Sequence, residues 1–393
     1  MNTISRIRVR QILDSRGEWT IAVSLTLLSG ATGIASVPQG KSVSIKAKRM
    51  LRAEDALARI QSILIPTLVG QSFAHQRDFD ARLIELDGTK TLSRIGANGA
   101  LALSLAFARA VSKSMYIPLH TYIGHMYEVL TGAAVEPMFP RLYMNMINGG
   151  MHASSGLAIQ EYLVIPKTKE PQVAIQLGVR FYHALKKMIE HEYGSTSANS
   201  GDEGGFALQA ERIDEPFVLY QKVADMLGVA QSIEYGIDVA GASVADTIER
   251  SLMRFEALVD TYPIIYIEDP FKEKQARHFT TLLSRIGAHV TIVGDDISAT
   301  NILYMEELAQ VHAINGVIIK PNQIGTLSDT LQAVSFARKQ KWSVVVSHRS
   351  GETNDTAIVD IACAIGADGL KLGAPARGER IAKYNRLLEL SSQ

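Results

Sequence analysis

Six ionisable residues recur in the second part of the chain at intervals of 23 to 30 residues, each at or just after the end of a short apolar run. In chain order they are Asp238, Glu268, Asp295, Lys320, His348 and Lys371. One strand and its following helix take about 30 residues, so the spacing predicts the same structural position in six successive β/α units. In a closed (β/α)8 barrel those positions meet at one face, where active sites lie. A single charged residue after a strand is common at protein surfaces, but six in succession favour one shared site.

The first three of these residues are carboxylates, and two of the last three are lysines. Converging carboxylates repel one another unless a cation lies between them, and hard oxygen ligands suit Mg²⁺. A lysine held near a divalent cation can have a lowered pKa and act as a general base. The set therefore predicts removal of a proton next to a carboxylate group, with a metal that neutralises the charge formed.

Other segments carry residue types that fit the same pocket. Gly201–Gly205 places Glu203 in a glycine-rich turn, which suits either close approach to a ligand or an ordinary surface turn. His152 and the pair Gln160–Glu161 fall near the first strands of the predicted barrel. Arg349–Ser350 follows the fifth of the six apolar runs, and a guanidinium with a hydroxyl suits a phosphate.

Strand and helix patterns alternate around these residues, which is typical of parallel β/α construction. Strands are predicted at Tyr235–Ile237, Ile264–Ile267, Val290–Val293, Gly316–Ile319, Ser343–Val346 and Gly369–Leu370. Helices are predicted at Ala245–Val259, Lys274–Arg285, Thr300–Ala309 and Leu327–Lys339.

The first third of the chain has a different pattern and is predicted to be a separate unit. Apolar residues alternate from Ile21 to Leu27, which predicts a strand, and a second short strand should run toward Val37. The first predicted helix should end near Pro66. The helices of this unit are predicted at Glu54–Leu64, Arg77–Leu86 and Ala97–Ser112. We expect a small α+β capping domain at residues 1–131 and a barrel at residues 139–393.

Equal numbers of basic and acidic residues, 40 of each, limit the classes of partner. A net charge of zero argues against general binding to nucleic acid. The single cysteine, Cys363, excludes an internal disulfide and fits a reducing compartment. The sequence has no pattern of a secretion signal or a membrane span, so we expect a cytoplasmic protein. Gly40–Ser42 resembles the end of a nucleotide phosphate loop, but Ala35 stands where that pattern needs glycine.

Distinctive segments surround the predicted strand ends, and others lie elsewhere in the chain. The first group is Ile267–Pro270, Gly294–Asp296, Asn322–Thr326 and Ser347–Thr353. The second is Ile12–Gly17, Glu85–Thr89, Asn148–Gly150 and Arg380–Asn385. Together they resemble the enolase family, in the order of that family and over nearly the whole chain. The resemblance implies an antiparallel sheet with helices, packed on a (β/α)8-like barrel whose first strands are irregular, and a possible homodimer.

The resemblance also implies a reaction, the reversible dehydration of 2-phosphoglycerate to phosphoenolpyruvate. The implied ligands of two Mg²⁺ ions are Asp238, Glu268, Asp295 and Ser42. The residues implied for proton transfer and for charge at the reacting carbons are Lys320, Glu203, Glu161, Lys371 and His152. Those implied to bind the small phosphorylated carboxylate are Arg349, Ser350, His348, Gln160 and Lys371. Lys320 would take the C2 proton, and Glu203, supported by Glu161, would help the 3-hydroxyl leave.

The chain departs from the family pattern mostly away from these residues. It is shorter than a typical member, with stretches missing after Ser42, after Ser243 and beyond Leu388. The loop Gln39–Ser44 replaces a Ser-Gly-Ala-Ser-Thr-Gly pattern, and its Lys41 is a further candidate for binding the substrate phosphate. Two alternatives therefore stay open. One is an enolase-like paralogue acting on a related phosphonate or phospho-carboxylate in specialised metabolism, and the other is an enolase-like binding protein without turnover.

Overall fold

The computed structural model describes residues 1–38, 44–132, 138–150 and 155–392. Within them, an antiparallel sheet near the start of the chain precedes a closed barrel of eight strands. The strands are β1 (Asn2–Leu13), β2 (Trp19–Leu27), β3 (Thr32–Ser36), β4 (Ser72–Phe73), β5 (Arg141–Asn148), β6 (Glu161–Pro166), β7 (Ile233–Asp238), β8 (Ile264–Glu268), β9 (Thr291–Gly294), β10 (Gly316–Ile319), β11 (Ser343–Ser347) and β12 (Gly369–Lys371). The helices are α1 (Ala53–Arg59), α2 (Ile65–Leu68), α3 (Gln76–Asp87), α4 (Ala97–Ser114), α5 (Leu119–Thr131), α6 (Pro171–Tyr193), α7 (Glu215–Leu227), α8 (Ile248–Thr261), α9 (Ala276–Ile286), α10 (Ile302–Gln310), α11 (Pro321–Ile324), α12 (Leu327–Lys339), α13 (Ala357–Ala364) and α14 (Gly378–Ser391).

The antiparallel sheet has the strand order β3-β2-β1-β4. Its buried face carries the predicted alternation from Ile21 to Leu27 and packs against α4, which is buried along most of its length, as expected. Backbones approach closely there, since a Cβ at Gly33 would lie 1.9 Å from the carbonyl oxygen of Ala106. The sequence analysis did not predict β1, although Arg6–Arg10 alternates charged and apolar residues.

The first helical segment ends at Leu68, two residues beyond Pro66, near which it was predicted to end. It continues through a π-helical turn at Ile60–Leu64. The N–H of Ile65 bonds to the carbonyl oxygen of Ile60, five residues earlier. Pro66 then falls in the first turn of α2, where the N–H that proline lacks is not needed.

The barrel closes in the order β10-β11-β12-β5-β6-β7-β8-β9, and the predicted fold class is confirmed. One strand differs from the parallel pattern that the sequence predicts. The described residues between β5 and β6 include no α-helix, and β6 runs antiparallel to both β5 and β7. The other neighbouring strands in the barrel pair in parallel, and the bounds of the six predicted strands lie within two residues of the observed ones.

The region around the N-terminal sheet packs on the barrel next to the segment that follows β11. Ser15 donates its backbone N–H to the carbonyl oxygen of Glu352 at 2.7 Å. Arg109 of α4 forms a two-pronged ion pair with Asp355 at 2.6 and 2.7 Å. These contacts fix the segment between β11 and α13, which carries part of the candidate site. Among the described residues no single helix is long and apolar enough to cross a membrane. Only α4 and α5 taken together, with a sharp bend between them, have the length and composition of a membrane span.

Candidate active site

A cavity of about 550 Å³, counting the part open to solvent, lies at one end of the barrel. Six carboxylates and three cations are among the residues that line it. The carboxylates are Glu161, Glu203, Asp238, Asp269, Asp295 and Asp296, and the cations are Lys320, Arg349 and Lys371. Gln160, His348 and Ser350 line the same cavity. The structure thus brings together those predicted site residues that fall in the described part of the chain, with Glu268 directly beside them.

Strand direction explains why the residues converge. Asp238, Glu268 and Lys371 are the last residues of their strands, and Asp295 follows β9 directly. All of these strands run toward the same end of the barrel. Glu161 reaches that end differently, because it is the first residue of the reversed strand β6 and pairs in register with Asp238.

Lys371 lies among three carboxylates. Its Nζ is 2.9 Å from Oδ2 of Asp238, 2.8 Å from Oε2 of Glu268 and 3.0 Å from Oε2 of Glu161. Burial alone would lower the pKa of Lys371, but the nearby carboxylates outweigh it and raise that pKa well above its ordinary value. Lys371 is therefore a charged ammonium.

Lys320 contacts a single carboxylate, that of Asp295. Burial lowers the pKa of Lys320, but the charge of Asp295 outweighs it and the pKa is raised. The same contact holds the pKa of Asp295 below its ordinary value, against the effect of burial. The lowered lysine pKa that the sequence predicts beside a divalent cation thus requires that the charge of Asp295 be neutralised by something other than Lys320.

The carboxylate side of the cavity carries an excess of negative charge. Oε1 of Glu268 and Oδ1 of Asp295 are buried and have no hydrogen-bond partner within the described part of the chain. Burial, and then the charge of Asp238, raise the pKa of Glu268 to about 8. Burial and the charge of Glu203 raise the pKa of Glu161 well above its ordinary value. Buried carboxylate oxygens without donors, next to carboxyl groups whose pKa values are raised, fit a bound cation.

No three His, Cys, Asp or Glu side chains of residues 1–38, 44–132, 138–150 and 155–392 already surround a common point as metal ligands. Lys371 lies between Asp238 and Glu268, and Lys320 lies on Asp295. The donor set fits a hard divalent cation by its chemistry, and the two ammonium groups occupy the carboxylates in this structure.

Glu203 is 3% exposed, so Gly201–Gly205 is not an ordinary surface turn. A Cβ at Gly205 would lie 2.5 Å from Oδ1 of Asn148, so the loop sits against β5 only because that side chain is absent. Oε2 of Glu203 accepts a hydrogen bond from Nδ2 of Asn145 at 3.1 Å. The same oxygen lies 3.4 Å from Nε2 of His348.

The segment after β11 holds the predicted phosphate-binding pair. Arg349 is buried, and its Nη1 donates to Oδ1 of Asn322 at 3.1 Å. Its backbone N–H donates to Oε1 of Glu352 at 3.1 Å, and Glu352 forms a buried ion pair with Lys383 at 2.9 Å. These contacts hold Arg349 in the wall of the cavity, which Gln160 also lines.

Comparison with known proteins identifies the family to which this architecture belongs. The family model described as "Enolase, N-terminal domain" matches residues 4–123, and "Enolase, C-terminal TIM barrel domain" matches residues 136–252 and 243–393. The chain belongs to the enolase family. The resemblance predicted from the motifs is confirmed, and the protein is an enzyme, a hydro-lyase of the phosphopyruvate hydratase kind.

Curated enolases from distant organisms resemble the chain over nearly its full length. The enolase of Methanopyrus kandleri is 37% identical over 99% of this chain and 96% of that protein. The enolase of Methanocaldococcus jannaschii is 36% identical over 99% of this chain and 95% of that protein. The enolase of the bacterium Anaplasma phagocytophilum is 37% identical over 98% and 94%.

Three of the predicted site residues lie outside the described residues. They are Lys41, Ser42 and His152. Nothing in the structure bears on their expected contacts with phosphate, metal or the leaving hydroxyl.

Sequence reasoning missed residues that position this enolase-family site. Asp269 accepts the backbone N–H groups of Asp295 at 3.0 Å and Asp296 at 2.7 Å. Thr300 accepts the backbone N–H of Lys320 at 2.9 Å. Asp269 has φ +40° and Thr300 has φ +55°, a conformation uncommon for residues with side chains and often found at functional sites. The acidic Asp269 stands inside a motif that the sequence shows, but no local pattern indicates Thr300.

Proposed function

We propose that the protein catalyses the Mg²⁺-dependent, reversible dehydration of 2-phosphoglycerate to phosphoenolpyruvate. The observation that carries this proposal is the charge of the cavity, in which six carboxylates outnumber three cations among the described lining residues. A small phosphorylated carboxylate is itself an anion, so it binds such a cavity only together with added positive charge. The buried, unpaired oxygens of Glu268 and Asp295 supply the place for that charge.

The residues that would hold the first Mg²⁺ are Asp238, Glu268 and Asp295, and Ser42 would contribute to a second. A divalent cation there supplies charge stabilisation for the enolate that forms when C2 loses its proton. Both of the unpaired oxygens belong to this set, which supports the assignment of Glu268 and Asp295 as ligands.

Side chains of the protein carry out the proton transfers and bind the substrate. Lys320 takes the C2 proton, and Lys371 holds the substrate carboxylate. Glu203, supported by the neighbouring carboxyl of Glu161, helps the 3-hydroxyl leave. Arg349, with Ser350, binds the phosphate, while Gln160 and His348 line the pocket and His152 lies near the same hydroxyl. Support comes from the opposite placement of Lys320 and Glu161 around one cavity.

An assay of the purified protein tests the proposal directly. With 2-phosphoglycerate and Mg²⁺, the ultraviolet absorbance of the enol product should rise, and EDTA should stop it. Absence of turnover at every Mg²⁺ concentration would contradict the proposal. Mg²⁺-dependent binding of 2-phosphoglycerate without turnover would instead support the binding-protein alternative.

The paralogue alternative depends on Lys41, and no described contact favours it. We further propose the division into a capping domain at residues 1–131 and a barrel at residues 139–393, a cytoplasmic location, and a homodimer. Sedimentation velocity of the full chain measures the last of these, and a single monomeric species at micromolar concentration would contradict it.

A further inference from the structure

Arg380 is a fully buried side chain behind the candidate active site, near the start of α14. Its Nη1 donates to Nδ1 of His348 and to the carbonyl oxygen of Arg349, both at 2.7 Å. Its Nη2 donates to the carbonyl oxygens of Ser350 at 2.7 Å and Asp202 at 3.3 Å. One guanidinium thus ties the segment after β11 to the glycine-rich loop.

The contact with Arg380 decides which nitrogen of His348 carries the proton. A guanidinium has only donors and stays protonated at ordinary pH, so Nδ1 of His348 must be the acceptor. Burial lowers the pKa of His348 to about 3, helped by Arg380 and Lys371 and opposed by Glu203. The imidazole is therefore neutral, with its proton on Nε2.

Nε2 of His348 faces the cavity side of the ring. It lies 3.4 Å from Oε2 of Glu203, longer than an ordinary N–H···O hydrogen bond. Such a long contact is common before substrate binds, and it shortens when the reacting groups are in place. The N–H is thus directed at the carboxylate that, in the proposed function, serves the leaving hydroxyl.

We propose that Arg380 is a positioning residue that holds His348 in the Nε2–H tautomer, so that its N–H is directed at the Glu203 carboxylate. The inference rests on the proposed function for its catalytic consequence, but not for the tautomer itself. Without Arg380, the proton can move to Nδ1 of His348. Nε2 then becomes an acceptor that faces a carboxylate acceptor, and an attractive contact becomes a repulsive one.

Nitrogen NMR on histidine-labelled protein measures the tautomer without any need for activity. The chain has 10 histidines, and His348 is assigned by its loss from the spectrum of the His348→Asn variant. In the native protein we expect one protonated nitrogen, Nε2, and one unprotonated nitrogen, Nδ1, with no change from pH 5.5 to 8.5. A protonated Nδ1, or a doubly protonated ring, in the native protein would overturn the proposal.

Arg380→Met tests the cause, and Arg386→Met is the matched control. Arg386 lies on the same helix and pairs with Asp360 at 2.5 Å, away from the cavity. Arg380→Met should show a population protonated at Nδ1 of His348, and Arg386→Met should not. An unchanged His348 spectrum in folded Arg380→Met would contradict the proposal. If that variant does not fold, the proposal is tested by the His348 tautomer measured in the native protein.

Kinetics measure the consequence for the reaction. In Arg380→Met, we expect kcat to fall about 10- to 100-fold, as for groups that orient a functional side chain, with KM changed less than about threefold. The pH profile of kcat should shift as well, and Arg380→Lys should recover part of the loss. Equal losses of kcat in Arg380→Met and Arg386→Met would indicate a purely structural role. If the native protein does not act on 2-phosphoglycerate, the NMR result still stands, so the two failures are distinguishable.

Discussion

The two sides of the barrel end differ in their balance of charge. The acid side is formed by residues of β6 to β9, namely Glu161, Asp238, Glu268 and Asp295. The cationic side is formed by residues on or after β10 to β12, namely Lys320, His348, Arg349 and Lys371. On the acid side, burial raises the pKa values of Glu161 and Glu268, and one oxygen each of Glu268 and Asp295 has no donor among the described residues. On the cationic side, both ammonium groups lie on carboxylates and His348 is held neutral. The acid side therefore needs further positive charge, and the cationic side does not.

The largest expected effect is the loss of turnover on removing the ammonium of Lys320. Lys320→Met should lower kcat about 10³-fold or more, close to 4 kcal/mol, because general base catalysis typically contributes 10²- to 10⁴-fold. The measurement is the steady-state rate at saturating Mg²⁺ and 2-phosphoglycerate. Lys339→Met, at the exposed end of α12, is the control and should keep full activity. A Lys320→Met protein with more than a tenth of native kcat would refute the base assignment.

Removing the other ammonium should chiefly affect folding. Lys371 contacts three buried carboxylates, and breaking a buried ion pair by deleting one partner costs about 3–5 kcal/mol. Lys371→Met should therefore lower the free energy of unfolding of the metal-free protein by at least about 3 kcal/mol, measured by urea denaturation. Lys320→Met, whose ammonium contacts one carboxylate, should lose less. The contrast between the two lysines would be lost if both variants were equally destabilised.

The acid side should make the metal-free protein less stable as pH rises. The pKa of Glu268 is raised from 4.5 to about 8, so the folded state binds this proton more tightly than the unfolded state. The stability that the protonated carboxyl contributes is complete below about pH 4.5 and is lost as pH rises toward 8. Glu268→Gln should remove most of that loss, on the order of 2 kcal/mol.

The Glu268 prediction is checked by Tm against pH in EDTA and in Mg²⁺. In native protein Mg²⁺ should restore Tm at pH 8, whereas Glu268→Gln should gain little, because a ligand is lost. The control is Glu249→Gln, on the exposed face of α8, where such changes matter little. A Tm that rises with pH in EDTA would show that the acid side carries no excess charge.

The cationic side should give a smaller effect of opposite sign. The pKa of His348 is lowered from 6.5 to about 3, so this residue binds a proton in the unfolded state at pH values where it stays neutral in the folded state. The contribution of neutral His348 to the free energy of unfolding is therefore fully present above about pH 6.5 and is lost as pH falls toward 3. Between pH 7 and 5.5 the loss from this group is about 1 kcal/mol. His348→Asn should reduce this loss of stability between pH 7 and 5.5, and His289→Asn, at an exposed position, should not. Urea unfolding at both pH values measures the difference.

The sequence predicted the parallel strands well because their ends carry a repeating chemical signal. Asp238, Glu268 and Lys371 stand at the ends of apolar runs of strand length, and the structure places them at one end of the barrel. Two strands without such a signal, β1 and β6, were missed. β6 is buried at every position, so it lacks the alternation that distinguishes a strand from a helix or a loop. Arg6–Arg10 of β1 does alternate charged and apolar residues, so this strand was open to prediction and was overlooked.

The positioning residues could not be predicted, because their roles depend on contacts between distant parts of the chain. Arg380 reaches His348, 32 residues away, and Asp202, 178 residues away. Thr300 acts through a left-handed backbone conformation that its side chain does not favour. Asp269 acts through two backbone N–H groups rather than through its charge. No local pattern of residue types encodes such geometry.

The reversed direction of β6 has a consequence for engineering the chain. For a strand that runs with the barrel, the segment after it borders the cavity, so a peptide inserted there would disturb substrate entry. For β6 the reverse holds, because the residues before Glu161 border the cavity and those after Pro166 lie at the far end. Lys167–Glu170 is thus a connection at which an affinity tag or a reporter domain should be accommodated without touching the reaction, at a position where the usual rule for these barrels would forbid it.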